Sequence, residues 1–265
     1  MTLNGKFNKL KENLSQMERV VIAYSGGVDS TFVLKAASLA NLERLLAVTG
    51  SSESLPSDEL LFAEQTVVSL NVPHRVIKTE ELKDENFSNN PSDRCYYCKR
   101  ELFSLLREIA VKEDFCYVLD GTNADDAFDH RPGRRAAVEM GVRSPLLEAG
   151  LGKEEIRKLS FELGLPTWNK PSAPCLASRF PYGHKITAGE LEKIERAENF
   201  FKKFRLKELR VRHHGSIARI EVMPEDFLIF TDKKNRDETV DFLRSLGFKY
   251  VTIDLQGFRS GSLNE

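Results

Sequence analysis

VVIAYSGGVDS, residues 20–30, decides the fold. Val20, Val21, Ile22 and Ala23 form an unbroken apolar run, as in a parallel strand buried on both faces. The run stops at Ser25, Gly26 and Gly27, and STFVLKAASLA (30–40) follows with helical character. Upstream, Phe7, Leu10, Leu14 and Met17 have helical spacing. Downstream the alternation repeats: a strand at LLAVTG (45–50), a helix near 57–70 with Ser57 as its candidate cap, and a strand at HRVIKT (74–79). A helix is then expected from about Tyr97 to Lys112, and a strand at CYVLDG (116–121). Strands alternating with helices predict an α/β fold with a parallel sheet covered on both faces. In such sheets ligands sit at the carboxyl ends of the strands. Here those ends read SGGVDS, TGSS and DGTN, all rich in small polar residues.

From residue 153 the pattern changes. KEEIRKLSFELG reads as an amphipathic helix stopped by Gly164 and Pro166, and WNKPSAPCLASRFPYG (168–183) as an irregular, Pro-rich linker. A helix at about 188–203 precedes ELRVRHH and SIARIEVM, which flank Gly215 as a hairpin would. Residues 224–246 look mainly helical, and KYVTIDL (249–255) is a last strand. This predicts a first domain over 1–175 and a smaller α+β domain over 176–265.

The chemistry starts at Ser25-Gly26-Gly27-Val28-Asp29-Ser30. Glycines let the backbone turn tightly and approach a ligand. The amides of such a turn, with the helix start behind them, attract phosphate. The loop lacks the Gly-Lys-Ser/Thr ending of a Walker A loop and the Gly-x-Gly-x-x-Gly of a dinucleotide fingerprint. Asp29 suits such a site if it helps hold a Mg²⁺ shared with the phosphates. The motif resembles the PP-loop of ATP pyrophosphatases that form AMP, among them GMP and NAD synthetases and tRNA-thiolating enzymes. Gly121, Thr122 and Asn123 in GTNADD (121–126), with Asp125, occupy a later strand end where that group contacts nucleotide and metal.

The chain has 265 residues and four cysteines, Cys95, Cys98, Cys116 and Cys175. No apolar run approaches the ~20 residues of a membrane helix, and the polar N-terminus lacks a signal peptide's apolar stretch, so a cytoplasmic location is expected. There a Cys-x-x-Cys pair points to metal, cluster or redox chemistry. RCYYCKRE lets two sulfurs, Cys95 and Cys98, face one metal or cluster. Cys175 lies between Lys170 and Arg179, cations that favour a thiolate. Cys116 is expected in a buried strand, without chemistry. Three thiolates can hold a 4Fe–4S cluster with one open iron. Zinc would want a fourth ligand, for which His130, His184, His213 and His214 are candidates. A disulfide at Cys95 and Cys98 with a persulfide on Cys175 is a further reading.

SGGVDS, RCYYCKRELF, LDGTNADD, CLASRFPYG and RVRHHG-ARIEV together, in this order, resemble the LarE family across essentially the whole chain. LarE proteins are PP-loop sulfur transferases of nickel-pincer nucleotide biosynthesis. The resemblance implies adenylylation of the carboxylates of pyridinium-3,5-biscarboxylic acid mononucleotide and their conversion to thiocarboxylates. In one branch a single cysteine gives up its own sulfur, and Cys175 occupies that region. Cys95 and Cys98 depart from that pattern and resemble the branch in which three cysteines carry a 4Fe–4S cluster. The cofactors implied are ATP, Mg²⁺ and that cluster. Arg179, Arg210 and Arg212 carry over as phosphate-binding residues, Glu221 as a group that orients an arginine or holds a metal, and Glu198 as a weaker candidate. Arg210 and Arg212 are two apart, so on a strand they share a face and could clamp one phosphate. The two adjacent histidines, His213 and His214, would point to opposite faces.

The implied partner is a small-molecule nucleotide substrate, and the implied assembly is a homo-oligomer, a hexamer in the family's manner. Net charge is −1, from 39 Lys and Arg against 40 Asp and Glu. Such a balance does not advertise a nucleic-acid partner, so neither tRNA nor a membrane is expected. The rival readings are a tRNA-thiolating enzyme, an amide-forming synthetase, and a nucleotide sensor or cluster carrier that makes no AMP.

Overall fold

A computed structural model describes residues 1–127, 132–259 and 261. His130 lies outside the described residues. Chain contacts divide the protein into two compact units, residues 1–87 with 92–173, and residues 88–91 with 174–265.

The first unit begins with α1 (Leu3–Ser15), capped by Thr2, whose hydroxyl accepts from the Gly5 amide. Then follow β1 (Arg19–Ala23), α2 (Val28–Ser38), β2 (Arg44–Ser51), α3 (Ser57–Ser69) and β3 (His74–Lys78). Next come the short α4 (Glu85–Ser88), the long α5 (Arg94–Lys112) and β4 (Tyr117–Leu119), and then α6 (Pro132–Glu139), α7 (Pro145–Ala149) and α8 (Lys153–Glu162). The strands form one parallel sheet in the order β3-β2-β1-β4. β1 is central, with Ile22 between Ala47 of β2 and Leu119 of β4.

The apolar run of residues 20–23 explains why β1 is central. Val20 and Ile22 face Leu10, Leu14, Phe32, Ile156 and Leu159 on one side of the sheet. Val21 and Ala23 face Phe103, Leu106, Ala110 and Ala136 on the other. Alternate residues thus meet two separate apolar layers, and both faces are dry. The order 3-2-1-4 places the reversal of strand order between β1 and β4. Their carboxyl ends therefore flank the crevice where such sheets bind ligands.

Local boundaries differ from the sequence reading in three places. Helix α3 follows Pro56, and Ser57 is its first residue without capping it. Helix α5 starts at Arg94, three residues before the expected Tyr97, so Cys95 is helical as well as Cys98. Cys116 is the correction of substance: it is exposed and precedes the strand. β4 is only three residues long, and Phe115 is the residue that turns into the core.

In the second unit a 3-10 turn, Leu176–Arg179, leads toward α9 (Ala188–Phe200). The hairpin of β5 (Leu209–His214) and β6 (Ile217–Val222) turns at Gly215, whose φ of +62° suits glycine. After α10 (Lys233–Ser245), β7 (Tyr250–Ile253) pairs parallel to β6. Val211, Ile220, Val222, Leu191, Ile194, Phe201 and Leu243 are buried in this unit. Among the described residues, no helix is long and apolar enough to cross a membrane.

Candidate functional site

The loop after β1 is built by close approach. Gly26 has φ +69°, and a Cβ there would lie 2.7 Å from the Ala63 Cβ and 2.9 Å from its Cα. Gly27 precedes α2, and its carbonyl accepts from the Thr31 amide at 3.0 Å. Ser30 is buried, and its hydroxyl meets the Ser25 amide at 3.3 Å and the Ser25 hydroxyl at 3.1 Å. Asp29, half-buried in the first turn of α2, stands where the helix dipole favours negative charge. Gly121, from the end of β4, presses on the same turn: a Cβ there would come within 2.9 Å of the Ser30 nitrogen. The structure thus brings SGGVDS and the glycine of GTNADD together as one packed feature.

Lys170 belongs to this loop too, which its position in the sequence did not reveal. Its ammonium donates to the Gly26 carbonyl at 3.2 Å and to Glu59 Oε2 at 2.8 Å, and lies 3.8 Å from the Phe62 ring centre. Glu59 and Phe62 are both on α3, so one lysine ties that helix to the glycine turn.

After β4, Asp120 organises the next turn. Its carboxylate accepts from the Thr122 amide (3.1 Å), the Thr122 hydroxyl (2.7 Å) and the Ser144 hydroxyl (2.7 Å). Asn123 is buried, and its side-chain oxygen accepts from the amides of Asp125 and Asp126. Asp125 is exposed, and its Oδ2 accepts from the Lys153 amide at 2.7 Å, capping α8. These side chains hold a turn that carries the Gly121 contact. The local Asp-Gly-Thr-Asn run announced such turn chemistry.

Cys95 and Cys98 lie in the first turn of α5, the first exposed and the second half-buried. Residues three apart on a helix are neighbours on one face. A helix start also favours an anionic sulfur.

In the second unit, Cys175 is half-buried just before the 3-10 turn. Arg179 fixes the backbone around it. Its Nη1 donates to the Pro174 carbonyl (2.8 Å), the Cys175 carbonyl (3.2 Å) and the Ser178 hydroxyl (2.9 Å). Glu198 of α9 grips the same guanidinium twice, at 3.0 and 2.9 Å, and accepts from the Val211 amide of β5. Arg212 donates to the Ser178 carbonyl at 2.7 Å and pairs with Glu221 at 2.8 Å. Glu221 is wholly buried and also accepts from Arg219 at 2.8 Å, so it orients two arginines. Arg179 and Arg212 are thereby engaged in shaping the Cys175 segment. Arg210 donates to the Leu209 carbonyl and lies 3.8 Å from Glu208. Burial pushes its pKa down, and the charge of Arg179 pushes the same way, with Glu198 opposing.

The histidines separate as their strand positions require. His213 is buried, and its pKa is pushed down to about 4 by burial, with Glu190 opposing. His214 is exposed, and its pKa is also lowered, by partial desolvation of the ring and then by the charge of Arg219. Glu190 closes a capping box with Thr187 at the start of α9. A Thr-x-x-Glu run signals this box.

The first unit has the fold and glycine turn of the PP-loop ATP pyrophosphatase class. A pyridinium-3,5-bisthiocarboxylic acid mononucleotide synthase of Lactiplantibacillus plantarum is 40% identical over 269 residues, covering 100% of this chain and 95% of the relative. The chain belongs to that family, the LarE sulfur transferases. An uncharacterized protein of Synechocystis sp. is 42% identical over 262 residues, 99% of this chain and 98% of the relative. A glutamine-hydrolyzing GMP synthase component of Methanothermobacter thermautotrophicus is 27% identical over 158 residues, 56% of this chain and 51% of the relative. No protein-family model matches the chain.

Proposed function

We propose that the protein adenylylates the carboxylates of pyridinium-3,5-biscarboxylic acid mononucleotide with ATP and converts them to thiocarboxylates. The observation that carries the first half is the glycine turn: Gly26 packed on Ala63, Gly121 packed on Ser30, and α2 starting directly behind. Amides at such a helix start stabilise negative charge that develops on a leaving pyrophosphate. A substrate carboxylate attacks the α-phosphorus, the bond to the β-phosphate oxygen breaks, and pyrophosphate leaves into this turn. Lys170 keeps the turn in register with α3. Ser25 and Ser30 supply hydroxyls, and Thr122 and Asn123 hold the neighbouring turn. Sulfide-level sulfur then attacks the acyl carbon, AMP departs with the former carboxylate oxygen, and a thiocarboxylate remains.

Mg²⁺ suits Asp29, whose carboxylate stands at the phosphate-facing start of α2, with Asp125 as the second carboxylate proposed for it. When bound, it would neutralise the phosphates. The soft sulfurs of Cys95 and Cys98, three apart on one helix, fit an iron–sulfur cluster, with Cys175 as the third ligand proposed from the sequence. When bound, such a cluster would hold the sulfur to be transferred. Arg210 would take a phosphate of the substrate, while Arg179 and Arg212 keep the backbone around Cys175 in place.

The test is anaerobic turnover with ATP and the dicarboxylate nucleotide, reading pyrophosphate release and the substrate's mass. One pyrophosphate per oxygen-to-sulfur exchange, with Cys175 intact afterwards, is the expected result. Loss of the Cys175 sulfur in step with product would establish the sacrificial route instead. Pyrophosphate release that depends on tRNA and not on the nucleotide would overturn the proposal.

A further inference from the structure

His213 is an unusual histidine. It is 3% exposed, and its Nδ1 is buried without a hydrogen-bond partner among the described residues. Its Nε2 lies 3.9 Å from Glu190 Oε1, beyond hydrogen-bond reach. Nε2, and not the orphan Nδ1 on the far side of the ring, is the nitrogen that faces Glu190, and the groups on that side are metal ligands. His184 Nε2 lies 2.9 Å from the same Glu190 oxygen, and donor atoms of His184, Glu190 and His213 all fall within 4.8 Å of one another.

We propose that His184, Glu190 and His213 bind a divalent transition-metal ion of the zinc type, at a site within the second unit that uses no cysteine. Two imidazoles and one carboxylate are a donor set that zinc accepts, with water completing the shell. Donors around a tetrahedral zinc stand roughly 3.3 Å apart at its usual bond lengths. The 2.9 and 3.9 Å separations from Glu190 bracket that spacing, and the two imidazole donors lie within 4.8 Å of each other, so the three side chains must draw together to close the site.

The surroundings hold the ligands in place. Glu190 Oε2 is already fixed by the amide and hydroxyl of Thr187 in the capping box, which leaves Oε1 turned to the histidines. Phe180 stacks on His184 with ring centres 5.4 Å apart, and lies 5.0 Å from His213. His213 packs against Phe248 on another side. Lys193 is the nearby charge that opposes a cation, and its ammonium is drawn over the Phe248 ring at 3.7 Å. The ion would tie three pieces of chain together: the loop after Phe180, the start of α9, and β5.

The full chain carrying Cys95→Ser, Cys98→Ser, Cys116→Ser and Cys175→Ser removes the competing thiolates. Co²⁺ titrated into this protein after chelator treatment should give ligand-field bands that saturate at one equivalent and vanish on adding Zn²⁺. His184→Asn and Glu190→Gln should each weaken binding by at least about 10-fold, since even outer-shell partners of metals are worth that much. In the wild-type chain, Zn²⁺ should raise Tm, and His184→Asn should abolish the part of that rise that survives alkylation of the thiols. No saturable equivalent in the first protein, or unchanged affinity in His184→Asn, would overturn the proposal.

Discussion

The glycine loop of the first unit and the Cys175 segment of the second are both irregular backbone held in one shape, by opposite means. The loop at residues 25–30 is held by what is absent. Gly26 and Gly121 have no Cβ, and the neighbouring helix and turn occupy the space that a Cβ would fill. The Cys175 segment is held by long charged side chains, Arg179 gripped by Glu198 and Arg212 gripped by Glu221. Backbone packing costs nothing in desolvated charge and leaves amides available for a ligand. Buried ion pairs cost desolvation and depend on every partner being present. The first device should therefore fail in catalysis, and the second in folding of the segment.

The largest effect is expected at Glu198. Glu198→Ala leaves the Arg179 guanidinium, which is 4% exposed, with two carbonyls and the Ser178 hydroxyl and no counter-charge from Glu198. Breaking one side of a buried pair costs about 3–5 kcal/mol, read as a drop in the denaturation midpoint. Sulfur transfer should be lost, because the Pro174 and Cys175 carbonyls lose their anchor, while pyrophosphate release persists in whatever fraction stays folded. A variant that keeps full stability would break the comparison.

Gly121→Ala tests the other device. The new methyl would meet the Ser30 nitrogen at 2.9 Å and must push the loop or the β4 turn aside. Displacing a catalytic group by about 1 Å can cost about 10²-fold in rate. AMP formation should fall by about that factor, with a much smaller change in Tm than at Glu198. A rate within twofold of wild type would show that the glycine contact is packing and nothing more.

How much of each site the sequence disclosed follows from the same contrast. A positive φ and a close approach are local demands, and Gly26-Gly27 after Val20–Ala23 displays them in adjacent residues. The parallel sheet was legible for a similar reason, since β1 has an apolar run that only a doubly covered strand needs. Ion pairs leave no local mark. Nothing near Arg179 names Glu198, and the alternation of Arg210 and Arg212 suggested a shared phosphate. The hairpin register sets Arg210 opposite Glu221, yet Glu221 bonds to its diagonal neighbour Arg212 and to Arg219, two residues back on its own strand. Cys116 reads as part of the strand because composition cannot say where a three-residue strand begins. Lys170 stands out in the sequence only for its nearness to Cys175, and its grip on Gly26 is visible only once α3 has folded beside the loop.

Lys170 mixes the two devices, a charged side chain holding a glycine turn. Lys170→Met keeps contact with Phe62 and removes both donated bonds. A charge-assisted hydrogen bond is worth about 1.5–3 kcal/mol. KM for ATP should accordingly rise by about 10-fold, measured by pyrophosphate release across ATP concentrations. If KM is unchanged and only Tm falls, the lysine serves α3 and not the nucleotide.

The smallest effect, at Asp125, separates two roles of one carboxylate. Its Oδ2 caps α8 by accepting from the Lys153 amide, and the same group is proposed to help hold Mg²⁺. Losing a helix cap costs about 1 kcal/mol, and asparagine caps about as well as aspartate. Asp125→Ala should therefore lower stability by about 1 kcal/mol, and Asp125→Asn should restore it. The two variants should behave alike in a different assay, both needing more Mg²⁺ for half-maximal pyrophosphate release, because neither carries the charge. If Asp125→Asn recovers the wild-type Mg²⁺ requirement together with the stability, the carboxylate is a cap, and the ion belongs to Asp29 without it.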